Sequence, residues 1–136
     1  MQAAILSALL PELGHVTKRR IEIAEKYAAA LNGSVDSVNS YTSGHNVYHH
    51  FVVRAKSREA FQRFLSDQEI NSDIHYPYFF NSIEPIRREY LALGIELNPL
   101  PNSERLSNEV VSLPIGPWMT DEQVSAVCVA LGTTEQ

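Results

Sequence analysis

Val47-Tyr48-His49-His50-Phe51-Val52-Val53-Arg54 is the stretch on which the fold turns. Its side chains are mostly β-branched or aromatic, a composition that suits a pleated, half-buried surface, so the run predicts a strand over 47–54. On its N-terminal side the periodicity is helical. Ile5, Leu9 and Leu13, then Val16, Ile21, Ala24, Tyr27, Ala28 and Leu31 recur at the spacing of one helix face. This predicts one long helix over 1–32, or two helices end to end with the break at Pro11, whose missing amide disrupts the hydrogen-bond ladder. Asn32-Gly33 is a stop signal, and 33–46 is rich in Ser, Asn, Thr and Gly, which predicts an exposed loop.

On the C-terminal side of the strand, Ser57 predicts the cap of a helix through Phe61, Phe64 and Leu65 to about Gln68. Ser72 to Tyr76 reads as a second strand ended by Pro77, which cannot donate to a ladder, and Tyr78-Phe79-Phe80-Asn81 as an aromatic loop. Short helices are expected around Pro85 to Leu91 and Ser103 to Ser107, and a third strand at Val110-Val111-Ser112-Leu113. Thr120-Asp121-Glu122-Gln123 is a capping box that opens a helix to Leu131, with Gly132 as its stop. The expected class is α+β: a long N-terminal helix or helix pair, then a small three-stranded antiparallel sheet packed against helices.

The 136 residues are 44% hydrophobic and 20% charged, enough for one core and one domain. No apolar run reaches the roughly 18 residues of a membrane span. No basic segment precedes the apolar stretch Met1 to Leu10 and no cleavage site follows it, so no secretion signal is expected and the expected compartment is the cytoplasm. A formal charge of -5 argues against partners that are nucleic acids or anionic membranes.

Among residues that carry chemistry, Cys128 is the lone cysteine and falls between Val124, Val127 and Leu131, so it reads as a small hydrophobe of a helix core face. Lys18, Lys26 and Lys56 lie in polar surroundings, whereas an amine that forms an imine needs burial or a cationic neighbour to lower its pKa. Lys18-Arg19-Arg20 offers such neighbours but reads first as a solvated helix face. His49 and His75, on neighbouring predicted strands, can approach one another and permit a metal site. His49 and His50 would point to opposite faces of a strand, and no third ligand is spaced for the pair, so no metal is assigned. The segment His75-Tyr76-Pro77-Tyr78-Phe79-Phe80 offers an imidazole and a phenol at a strand end, flanked by aromatics. That composition suits either a pocket for a flat or sugar-like ligand or a subunit interface.

The order of these segments resembles the C-terminal part of the DegT/DnrJ/EryC1/StrS family of pyridoxal-phosphate-dependent sugar aminotransferases. Met1 to Leu6 with Leu10-Pro11 and Leu13 resembles the family's helix that leaves the cofactor domain, and Arg19-Arg20, Ile23-Ala24, Tyr27 and Leu31 its continuation. Tyr48 to Arg54, Arg58, Phe64-Leu65 and Ile70 are similar to its strand and helix. His75-Tyr76-Pro77, Pro101 with Ser103-Glu104, and Ser112-Leu113-Pro114-Ile115-Gly116-Pro117-Trp118-Met119-Thr120 carry the sharpest likeness. Two positions depart from it: Phe79 stands for a second proline and Asn81 for a second histidine after His75-Tyr76-Pro77.

The resemblance implies that residues 1–136 form the small domain of a fold-type I aminotransferase, with 1–32 an interdomain-type helix and 47–136 the α+β body. It implies a parent enzyme acting on a keto-sugar nucleotide, in cell-surface polysaccharide or deoxyaminosugar biosynthesis. His75 and Tyr76, with His49 behind them, would be substrate-binding wall residues that position without taking the covalent step. The family's cofactor-holding lysine, its aspartate and its phosphate-binding groups precede the matched region, and no lysine here matches. Pyridoxal phosphate is therefore expected in the complete enzyme and not bound covalently by this chain alone, which has no catalytic residue of its own and is expected to be inactive. The expected partner is the cofactor-binding large domain or a homologous subunit, with self-association through an apolar stripe on the first helix. A different reading is a non-catalytic binding or regulatory module that pairs with a full-length homologue.

Overall fold

A computed structural model describes residues 2–33, 35–38 and 46–134. The N-terminal helical run is broken where Pro11 requires it: α1 (Gln2–Leu9) passes through a 3-10 turn, Leu10–Glu12, into α2 (Leu13–Ala30). The two halves differ in what they cover. No residue of α1 is buried, whereas α2 places Ile23, Ala24 and Tyr27 in the core. Gly33 takes a left-handed φ of 86°, the conformation a residue without Cβ adopts at no steric cost, and the chain reverses there.

The sheet is antiparallel with order β1-β2-β3, formed by Asp36–Ser37, Phe51–Arg54 and Val110–Leu113. In β2, Phe51 and Val53 are buried and Val52 and Arg54 half-buried, so the period-2 pattern read from the sequence survives within those four residues. One of the three strands is not the one expected. Ser72 to Tyr76 contributes only a bridge, Asp73 to Ser112, along the outer edge of β3. The strand beside β2 comes instead from the Ser-rich segment, where Val35 is buried and Asp36 pairs with Arg54 through backbone and side chain. The remainder of the predicted loop, Ser34 and 39–45, lies outside the described residues.

Helices α3 (Arg58–Asp67), α4 (Glu84–Ala92), α5 (Pro101–Glu109) and α6 (Asp121–Thr133) complete the fold. The capping box of α6 is formed as read: Thr120 accepts from the Gln123 amide and the Gln123 side chain accepts from the Thr120 amide. Ser57 caps differently. Its hydroxyl makes no cap bond, and its carbonyl takes the Phe61 amide instead. Gly132 does not stop α6, which continues to Thr133. Asn32, just past α2, donates to the carbonyls of Gly132 and Thr134, satisfying acceptors that a helix end leaves open. One core joins α2, β2, α3, β3 and α6 around Tyr27, Phe51, Leu65, Val111, Val124 and Leu131.

Candidate functional site

The site forms where the chain enters β2 and passes the edge of β3. Strand geometry begins only at Phe51, because Tyr48 adopts a left-handed φ of 48° and bends the chain. Three hydrogen bonds hold that bend. The Asn46 side chain accepts from the Tyr48 amide at 2.8 Å, and Arg20 of α2 donates to the carbonyls of Tyr48 and His49 at 3.1 and 3.0 Å. Arg19 reaches the other approach, donating to the Met119 carbonyl and pairing with Asp121 at 3.0 Å. The arginine pair is thus no solvated helix face. Fork-shaped donors on one turn of α2 tie down both loops flanking the sheet.

Because 49–50 is a bend, the two histidines are not driven to opposite faces. Their rings meet edge to face at 4.3 Å, and His50 stacks on His75 at 3.9 Å and 22°. His50, and not His49 as the strand reading allowed, stacks on His75. Burial pushes the His50 pKa below its ordinary value, helped by the neighbouring His75, His49 and Arg20. His75 itself is placed by the Asp73 bridge: Nδ1 lies 2.9 Å from the Ser112 hydroxyl and Nε2 3.6 Å from the Asp73 carboxylate. Tyr76 packs edge-on against the His75 ring while remaining 69% exposed, so its phenol is free to meet a ligand.

The two positions that depart from the family pattern, Phe79 and Asn81, are absorbed locally. Asn81 donates to the Asn98 carbonyl at 2.6 Å, and the Phe79 amide donates to the Ser82 hydroxyl within a 3-10 turn, Phe80–Ser82. Phe80 packs edge-on against Tyr90 of α4. Sequence reading missed His50, Asp73, Ser112 and Arg20 as parts of the site. The signal for Ser112 was present: a polar residue inside an apolar strand, now 4% exposed, needs a partner.

Other candidates are placed elsewhere. Among the described residues no group of three or more His, Cys, Asp or Glu side chains is arranged to hold a metal. Cys128 is half-buried against the core, and burial raises its thiol pKa, contrary to what a nucleophile needs. Lys18, Lys26 and Lys56 are all exposed, and Lys26 is paired with Asp121 at 3.3 Å. A cavity of about 650 Å³ opens between α3 and the end of α6, lined by Val35, Ala55, Lys56, Phe61, Phe64 and Thr133 among others, and none of the histidines contributes to it.

The sequence profile of the DegT/DnrJ/EryC1/StrS aminotransferase family matches residues 1–132. The chain belongs to that family. A dTDP-3-amino-3,6-dideoxy-alpha-D-galactopyranose transaminase of Aneurinibacillus thermoaerophilus is 39% identical over 132 residues, covering 96% of this chain and 35% of the relative. A pleiotropic regulatory protein of Geobacillus stearothermophilus is 32% identical, covering 90% of this chain and 33% of its own length. Among solved structures, S. venezuelae DesV superimposes with a TM-score of 0.86 at 28% identity, over 97% of this chain and 35% of DesV. The chain therefore spans about a third of the length of the family members it matches.

Proposed function

We propose that residues 1–136 serve as the C-terminal small domain of a nucleotide-sugar aminotransferase, with His75, Tyr76 and His49 on the wall of its sugar pocket. The observation that carries this is the built cluster at the β2 and β3 edge. Ser112 and Asp73 flank the two nitrogens of the His75 imidazole beside an exposed phenol, and Arg20 holds the backbone of the His49 bend. Imidazole N–H and phenol O–H groups suit sugar hydroxyls and diphosphate oxygens. Their task is orientation, keeping the keto carbon where the amino group is delivered.

The residues present do not fit pyridoxal phosphate. An amine that holds this cofactor is activated by burial or a cationic neighbour, yet all three lysines are exposed, Lys26 is paired with Asp121, and Arg19 and Arg20 beside Lys18 are engaged with Asp121 and the carbonyls of Met119, Tyr48 and His49. The cofactor, which supplies the electron sink of transamination, belongs on this reading to the two-thirds of the family enzyme that this chain does not span, and the chain alone is inactive. Ile5, Leu6, Leu9, Leu10 and Leu13, each at least 56% exposed, are the surface that the cofactor domain covers; without it, a second copy takes its place.

The test is a chimera in which residues 1–132 replace the matching third of the Aneurinibacillus transaminase. A folded chimera that transaminates, and whose KM for the keto-sugar nucleotide rises several-fold in Tyr76→Phe with kcat little changed, supports the reading. A chimera that folds and takes up cofactor but gives no sugar-dependent turnover contradicts it and favours the regulatory module.

A further inference from the structure

We propose that Ser112 and Asp73 are positioning residues that fix neutral His75 as its Nε2–H tautomer, so that the ring offers a hydrogen-bond donor, and never an acceptor, at its outer edge. The inference concerns the pocket proposed above and adds the polarity of its central group: the ligand atom His75 serves is a hydrogen-bond acceptor.

Two independent constraints select the same tautomer. The first is the buried hydroxyl. Ser112 is 4% exposed, and His75 Nδ1, at 2.9 Å, is its side-chain partner. If Nδ1 carried the proton, the serine would accept it and its own O–H would be left in the interior without an acceptor, an arrangement folded proteins avoid. With Nδ1 bare, the hydroxyl donates and both groups are satisfied. The second constraint is charge. The Asp73 carboxylate lies 3.6 Å from Nε2 and, when ionised, only accepts, so a bare Nε2 would set lone pair against lone pair. A proton on Nε2 turns that repulsion into attraction.

The scaffold keeps these groups in register. Asp73 and Ser112 exchange both backbone hydrogen bonds, at 3.1 and 2.8 Å, so the two ends of the chain Asp73, His75, Ser112 are locked by the same bridge that presents the ring. The Asp73 carboxylate is itself steadied by the Ile74 amide, which donates to its other oxygen at 2.8 Å. The His50 ring, stacked on the face of His75, opposes a ring flip that would exchange the two nitrogens.

The experiment is ¹⁵N-edited NMR of the histidine rings in the 136-residue chain at about pH 8, well above the ordinary histidine range, on the wild type, Ser112→Ala, Ser112→Thr and Asp73→Ala. The proposal expects a protonated Nε2 and an unprotonated Nδ1 at His75 in the wild type. It expects a mixture of tautomers in Ser112→Ala and Asp73→Ala, and restoration in Ser112→Thr, whose hydroxyl is retained. A wild-type His75 protonated at Nδ1, or a ring unchanged in both alanine variants, overturns it. Asp73 is largely exposed, so Asp73→Ala keeps the test decisive if Ser112→Ala does not fold. The readout is the ring's own proton, so this inference can fail while the chimera still turns over, and the reverse.

Discussion

Tyr27 shows how one atom joins three parts of the molecule. Its ring is buried edge-on against Phe51, and its hydroxyl donates to the Pro114 carbonyl at 2.8 Å, closing α2 onto the turn after β3. Burial raises its pKa well above the ordinary 10.0, so it stays a donor throughout the working range. Tyr27→Phe keeps the ring and orphans the carbonyl, and should cost about 1 to 3 kcal/mol in urea denaturation with little change in m-value. His50 gives the corresponding prediction for pH. Its folded pKa lies below the ordinary 6.5, so the unfolded chain binds the proton more tightly. The stability that His50 contributes is therefore complete above that ordinary value and falls as pH drops through it toward the folded pKa. His50→Gln should flatten this part of the profile, as a denaturation series across the range will show. An unchanged slope would mean that the stack with His75 does not penalise protonation.

At the scale of elements, what the sequence showed and what it hid divide along physical lines. Val110 to Leu113 was legible residue for residue because a short β-branched, mainly apolar run stopped by Pro114 suits a buried strand, and all four residues are buried. The α6 capping box was legible because it is local: Thr120 and Gln123 need only each other. β1 was not, since Asp36–Ser37 has no β propensity of its own and pairs because the sheet and the Arg54 to Asp36 contact hold it. The bend at His49 and His50 was hidden for the same reason, its cause being Arg20, almost thirty residues away. The apolar stripe of α1 yields the prediction at this scale. Since neither α1 nor the 3-10 turn that holds Leu10 buries a residue, Leu6→Glu with Leu10→Glu should abolish concentration-dependent association in sedimentation velocity while shifting Tm by no more than a surface change does. A double variant that unfolds would instead place α1 within the core's stabilising contacts.

Taken whole, the described residues form one core and leave large apolar side chains outside it. The core joins α2, α6, α3 and the sheet, and it closes without α1 or α4, neither of which buries a residue. Large apolar side chains remain outside, among them Leu6, Leu10, Leu91, Leu93 and Trp118, each at least 65% exposed. The chain spans about a third of its relatives, and on the function proposed above this surface is where the rest of the enzyme packs. On the function proposed above, the histidine cluster orients the ligand, and the three lysines, all exposed, leave the cofactor to the rest of the enzyme. The central claim is tested most directly by incubating the chain with pyridoxal phosphate, reducing with borohydride and measuring the intact mass. Unmodified protein, or sparse labelling scattered over Lys18, Lys26 and Lys56, is the predicted result. A stoichiometric adduct on a single lysine would contradict the account and make this chain a cofactor-binding protein in its own right.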